Sequence, residues 1–264
     1  MACLDSNIKY GCALWDMNKC VTIREDLDKI KPNLVKRVLE LPFSTPSVAV
    51  QYEFGINNLS LDVLLEKVVL TVKTLKLDNN RISKQLLEKL MKMKVTGYCS
   101  EVEEACKILQ VKLDVLIKCK NVRKVLKKVV VKLQGDDLLR RMLLNSKTDK
   151  VLLNGFQYDG LGKKYLSELH FNDARLIFMA RYRMLPTKCN FPGRWGDTCC
   201  NVCGSNDTDE HIISCPGYSD IVDHEIHYTM LWNKKVLNDM DLLRKIAKNM
   251  KILVERMEEI QRIG

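Results

Sequence analysis

Aromatic residues make up only 6% of the 264-residue chain, so leucine, valine, isoleucine and methionine have to build its core. Glycine (12) and proline (6) are scarce for that length, which disfavours a turn-dense all-β fold. No apolar run approaches the roughly 18 residues that a bilayer-spanning helix requires. The longest clear run is Leu176 to Ala180, and no membrane partner is expected. Met1 to Lys9 has neither a basic n-region nor an apolar h-region, so no secretory signal is expected there. What remains is a composition with 46% hydrophobic and 29% charged residues, which argues against wholesale disorder.

The eleven cysteines are an odd number without a secretory signal, which points to an intracellular, reducing compartment, nuclear or cytoplasmic, and not to a disulfide scaffold. Six of them (Cys3, Cys12, Cys20, Cys99, Cys106, Cys119) lie at no metal-like spacing and read as small hydrophobes or surface thiols. The other five fall between Cys189 and Cys215.

The net charge of +10 is unevenly spread. Between 107 and 132 stand Lys107, Lys112, Lys118, Lys120, Arg123, Lys124, Lys127, Lys128 and Lys132 against Asp114 alone. Residues 195–225 then hold seven acids and no lysine or arginine. A basic centre followed by an acidic island suggests that one part of the chain faces a polyanion.

Apolar periodicity is helical almost throughout, and the predicted fold is mainly α. A helix is expected from Asn33 to Leu41, after Pro32, with Leu34, Val38 and Leu41 on its apolar stripe. Thr45-Pro46 reads as the cap and first position of another, with Gly55 as its stop. Ser60 is expected to cap a long segment through Leu77, with Leu61, Leu64, Leu65, Val68, Val69 and Val72 inward. Ile82 to Met93 repeats the pattern through Ile82, Leu86, Leu87 and Leu90, and Ser100 with Glu103 reads as a capping box. Asn121 opens a segment to Leu144 with an expected interruption near Gly135. Asn172 caps a helix to about Met184, and the tail from Leu231 to Ile260 is helical with a break near Asn238 to Asp241. Four regions are expected: 1–96, thumb-like and helical; 97–160, a basic helical linker; 161–225, an arginine-rich helix with a metal knuckle; and 226–264, a helical tail.

The strongest motif is Cys200-x2-Cys203-x7-His211-x3-Cys215. A C-x2-C turn places two thiolates on one tetrahedral centre, and Gly204 suits the tight turn after the second. Asp207 to Glu210 reads as a helix start, which puts His211 and Cys215 at i and i+4 on one face, with Pro216 ending the helix. Four ligands close the shell of one Zn2+, so the expected site is structural, not catalytic. Cys199 could take the place of Cys200 at C-x3-C spacing, although Cys200 is favoured; His224 and His227 read as ordinary surface or interface histidines.

These residues carry a resemblance. Arg181-Tyr182-Arg183-Met184-Leu185-Pro186, Cys200-Asn201-Val202-Cys203-Gly204, Asp207-Thr208-Asp209-Glu210-His211 and Cys215-Pro216 resemble the C-terminal zinc knuckle of jockey-like non-LTR retrotransposon reverse transcriptases. Upstream, Tyr10 to Trp15 is similar to the segment after the polymerase palm. Val38-Leu39-Glu40-Leu41-Pro42, Thr45-Pro46 and Glu53-Phe54-Gly55-Ile56 are similar to the thumb. The resemblance implies a thumb-plus-knuckle region that grips RNA or DNA beside a palm-bearing reverse transcriptase chain. It does not imply an enzyme in this chain. The Tyr/Phe-x-Asp-Asp hairpin that holds catalytic metals is missing, and Asp136-Asp137 sits in a lysine-rich helical setting as a surface turn or helix-start pair. The chain reads as the C-terminal third of a polymerase.

Two basic sets are candidates for nucleic acid. Lys124, Lys127 and Lys128 lie in the 107–132 run, which is either a phosphate-contacting face or a solvated helix face. Arg175 and Arg183, eight residues apart, share a helical face and are expected to form a phosphate pair; Arg181 is expected to clamp a knuckle acid, Asp207, Asp209 or Glu210. Phe178, Tyr182 and Trp195 are expected to pack the knuckle onto that helix. The competing expectation is a domesticated or remnant helical scaffold for protein interaction, with a structural zinc and exposed apolar surface on 8–77.

Overall fold

The computed structural model describes residues 11–14, 21–93, 97–144, 158–191, 193, 196–219, 230–231 and 233–263. The fold is mainly helical. In chain order the α-helices are α1 (Val21–Val38), α2 (Ser47–Phe54), α3 (Leu59–Leu75), α4 (Ile82–Lys92), α5 (Tyr98–Ile108) and α6 (Leu113–Lys118). They continue with α7 (Val122–Leu144), α8 (Tyr165–Glu168), α9 (Phe171–Arg181), α10 (Asp209–Ser214), α11 (Lys234–Asn238) and α12 (Met240–Ile263). Among the described residues, β-structure is limited to a single antiparallel bridge between Cys199 and Asn206. None of the described helices is long and apolar enough to cross a membrane.

The described residues fall into two compact units that interleave along the sequence. One draws on Met1–Val35, Gly55–Arg140 and Gln157–Leu161, the other on Lys36–Phe54, Arg141–Phe156 and Gly162–Gly264.

The first unit is organised by α3. Its Leu64, Leu65, Val68, Val69 and Val72 recur at helical spacing and pack with Val102, Ala105, Cys106 and Leu109 of α5, Leu116 of α6, and Val122, Leu126 and Val130 of α7. One buried ion pair crosses this apolar core, between Lys67 and Glu101, with the Tyr98 ring 5.6 Å from the ammonium. The first turn of α3 is not closed by Ser60, as the sequence suggests. Asn58 precedes the helix without a side-chain cap, and Ser60, inside it, bonds Asp28 of α1 through both its amide and its hydroxyl, each at 2.8 Å.

Helix α1 starts at Val21 and runs through Pro32 instead of beginning after it. A proline in a helix removes one internal hydrogen bond. Asp28 on Ser60, and Lys31 on Asp62 at 3.3 Å, hold the turns around Pro32 against α3. The buried stripe differs in part from expectation: Leu41 is buried as expected, together with Val35 and Leu39, whereas Leu34 and Val38 are 37% and 62% exposed. Helix α7 is likewise continuous where an interruption near Gly135 is predicted. Tyr158 lies 3.3 Å from the point where a Gly135 Cβ would stand, so the glycine makes room for a ring and does not break the helix. Asp136 and Asp137 are mid-helix residues of α7, neither turn nor helix start, and Asp137 pairs with Arg140 at 2.9 Å.

The second unit is organised around one carboxylate. Glu53 of α2 is fully buried. Its Oε1 accepts from Arg181 Nη2 at 2.7 Å, Arg181 Nε at 3.2 Å and the Tyr182 hydroxyl at 2.9 Å; its Oε2 accepts from the Tyr165 hydroxyl at 2.9 Å. Arg181 also donates from Nη1 to the Leu231 carbonyl, so each of its three guanidinium nitrogens is hydrogen-bonded. Burial works against the guanidinium charge, but Glu53 outweighs it and holds Arg181 above its ordinary pKa. Burial beside the same carboxylate pushes Tyr165 and Tyr182 well above theirs. Around this cluster α9 packs on α12, whose Leu243, Ile246, Ala247, Met250, Leu253 and Met257 are buried at helical spacing.

Two further boundaries differ from expectation. Thr45 donates its hydroxyl to the Pro42 carbonyl at 2.5 Å, so it braces the turn before α2 and does not cap the helix. Helix α9 begins at Phe171 and stops at Arg181, three residues before the expected end. Arg183 takes a left-handed conformation (φ 51°), and Met184 N–H closes on the Met179 carbonyl at 2.8 Å, the Schellman pattern of helix termination. The break near Asn238 to Asp241 is present between α11 and α12, and Gly55 (φ 61°) does end α2.

Candidate metal centre and basic groove

Cys200 and Cys203 sit on a tight turn closed by Gly204 N–H on the Cys200 carbonyl at 2.9 Å and by Cys200 N–H on the Ser205 carbonyl at 2.7 Å. Gly204 has a φ of 74°, a conformation that favours glycine. The other two residues come from α10. Thr208 caps that helix by accepting the His211 amide at 3.1 Å, and Cys215 follows its last turn. His211 and Cys215 therefore reach the same side, facing the turn.

The side chains converge. Cys215 Sγ lies 3.9 Å from Cys200 Sγ and 3.8 Å from Cys203 Sγ, and His211 Nε2 lies 3.2 Å from Cys203 Sγ. All four ligand atoms are within 4.8 Å of one another, so the group can hold one metal ion. A tetrahedron with edges of about 3.8 Å has its centre about 2.3 Å from each corner, which is the zinc–thiolate distance. The Val202 amide points at Cys200 Sγ at 3.4 Å, the kind of outer hydrogen bond that orients a metal-ligating thiolate. Hydrogen bonds from the backbone and side chain of Ser205 hold the Cys203 thiol below its usual range, and burial pushes Cys215 up to about 12. Cys199 is exposed and outside the group, so of the two adjacent cysteines it is Cys200 that joins the cluster. His224 and His227 lie outside the described residues, as do Tyr10, Trp15, Arg194 and Trp195.

The knuckle acids have an internal task that the sequence does not reveal. Asp209 accepts from the Leu185 amide at 2.9 Å and from Asn190 Nδ2 at 2.7 Å; Asp207 accepts from the Lys188 amide at 2.8 Å. Both carboxylates are buried and tie the segment after α9 to the metal loop. Burial raises the Asp209 carboxyl to about 6, against the hydrogen bonds it accepts. Lys188 completes the lattice by donating to Asp197 at 2.7 Å and to Asn201 at 2.6 Å.

The arginines of α9 are distributed differently from expectation. Arg181 is a clamp, but on Glu53 and not on a knuckle acid. Arg183 makes the knuckle contact, with Nη2 2.6 Å from Glu210 Oε1. Arg175 donates to the Glu40 carbonyl at 3.0 Å. The Tyr182 hydroxyl donates to Glu53, and the Phe178 ring lies 5.0 Å from the Tyr182 ring and 6.4 Å from Phe54. Glu53 is the residue that sequence reasoning missed. Its signal is a lone carboxylate on a short helix whose neighbours Val48, Ala49 and Val50 are apolar.

The lysines of α7 have no such partners. Arg123, Lys124, Lys127 and Lys128, with Asn121, Val131 and Asp159, line an open groove of about 550 Å³. Arg123 is paired with Glu66 at 2.5 Å. Lys124, Lys127 and Lys128 are exposed and make no ion pair among the described residues. Asn121 caps the helix by accepting the Lys124 amide at 3.1 Å, which fixes where the first lysine leaves the helix. Among the described residues no aromatic side chain lines the groove, so these residues offer charge without a surface for stacking bases. No family model, no curated protein and no solved structure matches the chain.

Proposed function

We propose that this chain is a zinc-stabilised nucleic-acid-binding fragment, similar to the part of a non-LTR reverse transcriptase that follows the palm, with no polymerase active site of its own. The observation that carries the reading is the α7 groove, where Lys124, Lys127 and Lys128 stand exposed beside Arg123 and make no ion pair among the described residues. Cations left free of internal partners are available to phosphate, and a groove without aromatics fits backbone contact better than base readout. RNA or DNA is therefore gripped largely independently of sequence. A palm-bearing chain would supply the chemistry.

Zinc is the metal this reading assigns to Cys200, Cys203, His211 and Cys215. Three thiolates and an imidazole are a soft set suited to Zn2+, and four protein ligands leave no position for substrate. Bound there, the ion supplies folding energy only. The reading includes a reducing compartment, since the ligand thiols must stay reduced to bind the ion.

The test is a titration of the full chain against labelled RNA and DNA duplexes at several salt concentrations. Affinity should fall steeply with salt for both, and the triple variant Lys124→Glu, Lys127→Glu, Lys128→Glu should lose most of that dependence. Salt-independent binding, or a triple variant that binds as well as the parent, defeats the reading.

A further inference from the structure

Helix α4 presents an apolar stripe outward. Ile82 is 81% exposed, Leu86 56% and Met93, at the helix end, 70%. With Leu90, these residues fall at i, i+4, i+8 and i+11, within an arc of about 80° at roughly 100° per residue. Only Leu87, on another side of the helix, is buried. The outward orientation is fixed by the preceding loop. Lys84 donates to the Leu77 carbonyl at 2.9 Å and to Asn79 Oδ1 at 2.7 Å, and Gln85 donates to the Asn79 carbonyl at 2.8 Å. The helix cannot roll its stripe inward without breaking these bonds. Isolated exposed apolar residues are ordinary, whereas a continuous stripe on a locked helix marks an interaction surface.

The charges beside the stripe are one-sided. Lys89, with Lys92 a turn further on, follows one edge, and neither makes an ion pair among the described residues; the opposite edge carries Ser83 and then buried Leu87. The remaining pair, Lys84 with Glu88 at 4.0 Å, lies on the back of the helix. We propose that α4 is the docking face for an amphipathic helix of a partner protein, one whose apolar stripe is flanked on one side by carboxylates. The charge pattern selects that occupant. A lipid surface is met by cations on both edges of an interfacial helix, commonly with aromatic anchors, and α4 has cations on one edge and no aromatic. A second copy packed antiparallel by a two-fold axis would set the basic edge against itself. An acidic edge on a foreign helix pairs with it, as flanking charges do in helix pairing. This surface is independent of the α7 groove.

Fluorescence anisotropy on the full chain tests it with two labelled synthetic helical peptides, identical in their leucine stripe, one flanked by glutamates and the other by lysines. The glutamate peptide should bind about tenfold or more tightly than its lysine twin, and the double variant Ile82→Ser, Leu86→Ser should weaken it by a similar factor. The double variant should keep the parental melting temperature and RNA affinity, because both side chains are exposed and away from the groove residues. Lys89→Glu with Lys92→Glu should reverse the peptide preference. Equal affinity for the two peptides, insensitivity to the double variant, or adsorption to phosphatidylserine vesicles without peptide binding would overturn the proposal. So would concentration-dependent self-association that the double variant abolishes.

Discussion

Helices α7 and α9 are both rich in cations, and on sequence alone both qualify as nucleic-acid faces. Their structural situations are opposite. Each arginine of α9 and its terminus has an internal acceptor: Arg175 the Glu40 carbonyl, Arg181 the Glu53 carboxylate, Arg183 the Glu210 carboxylate. On α7, Lys124, Lys127 and Lys128 have none among the described residues and share a groove. Positive charge in a sequence is thus a poor guide to an anion site until its internal partners are known. On these two helices the guanidinium forks of Arg175, Arg181 and Arg183 hold the protein together while the ammonium groups of Lys124, Lys127 and Lys128 face solvent; elsewhere lysines such as Lys67 and Lys188 are structural too.

The largest effect expected on the α9 side of that contrast comes from the proposed zinc site. If zinc is held there, a chelator or Cys203→Ser should unfold the segment around 197–218, since structural zinc contributes on the order of 10 kcal/mol in small metal-folded modules. Hydrogen exchange should then show lost protection there, with protection retained on α3, α5 and the first half of α7, whose core needs no ion. Loss of protection throughout would mean that the apolar core of the first unit depends on the knuckle.

Next in size is Arg181→Lys. An ammonium cannot reproduce the Nε and Nη2 contacts on Glu53 together with the bond to Leu231, so the variant should lose a part of the about 3–5 kcal/mol that removing one partner of a buried ion pair costs. The melting temperature should fall markedly while RNA affinity at a permissive temperature is kept. A variant that melts normally but binds poorly would move Arg181 from the clamp to the binding face.

Arg183→Lys should matter far less. Its pair with Glu210 is exposed, with side chains 38% and 53% accessible, and such pairs contribute about 0–1 kcal/mol. A loss of several degrees of melting temperature would show that the left-handed turn at Arg183 depends on that contact. The smallest stability change belongs to the lysines of α7. Charge reversal at Lys124, Lys127 and Lys128 should leave the melting curve within about 0.5 kcal/mol of the parent, as expected for unpartnered surface positions.

The candidate metal centre was legible because its geometry is local. A C-x2-C turn and an i, i+4 pair bring four ligands together by backbone geometry alone, and Thr208, Gly204 and the two adjacent cysteines resolve as the spacing suggests. The α3 face was legible because five apolar residues repeat at helical period. What stayed hidden is non-local. Glu53 and Arg181 are 128 positions apart, and Asp28 reaches Ser60 across 32, so neither contact leaves a pattern that can be read along the chain. Periodicity also reports that a helix has an apolar side but not whether anything covers it. Leu64 and Ile82 look alike in sequence; one is buried in the core and the other faces solvent.

The account is tested most directly by the slope of log affinity against log salt for duplex DNA, measured for the parent, for the α7 triple variant, and for Arg175→Gln with Arg183→Gln. Each phosphate contact contributes about 0.9 to that slope, so the triple variant should lose roughly 2–3 units while the arginine pair leaves the slope nearly unchanged. A slope unaffected by the lysines and flattened by the arginines would contradict it.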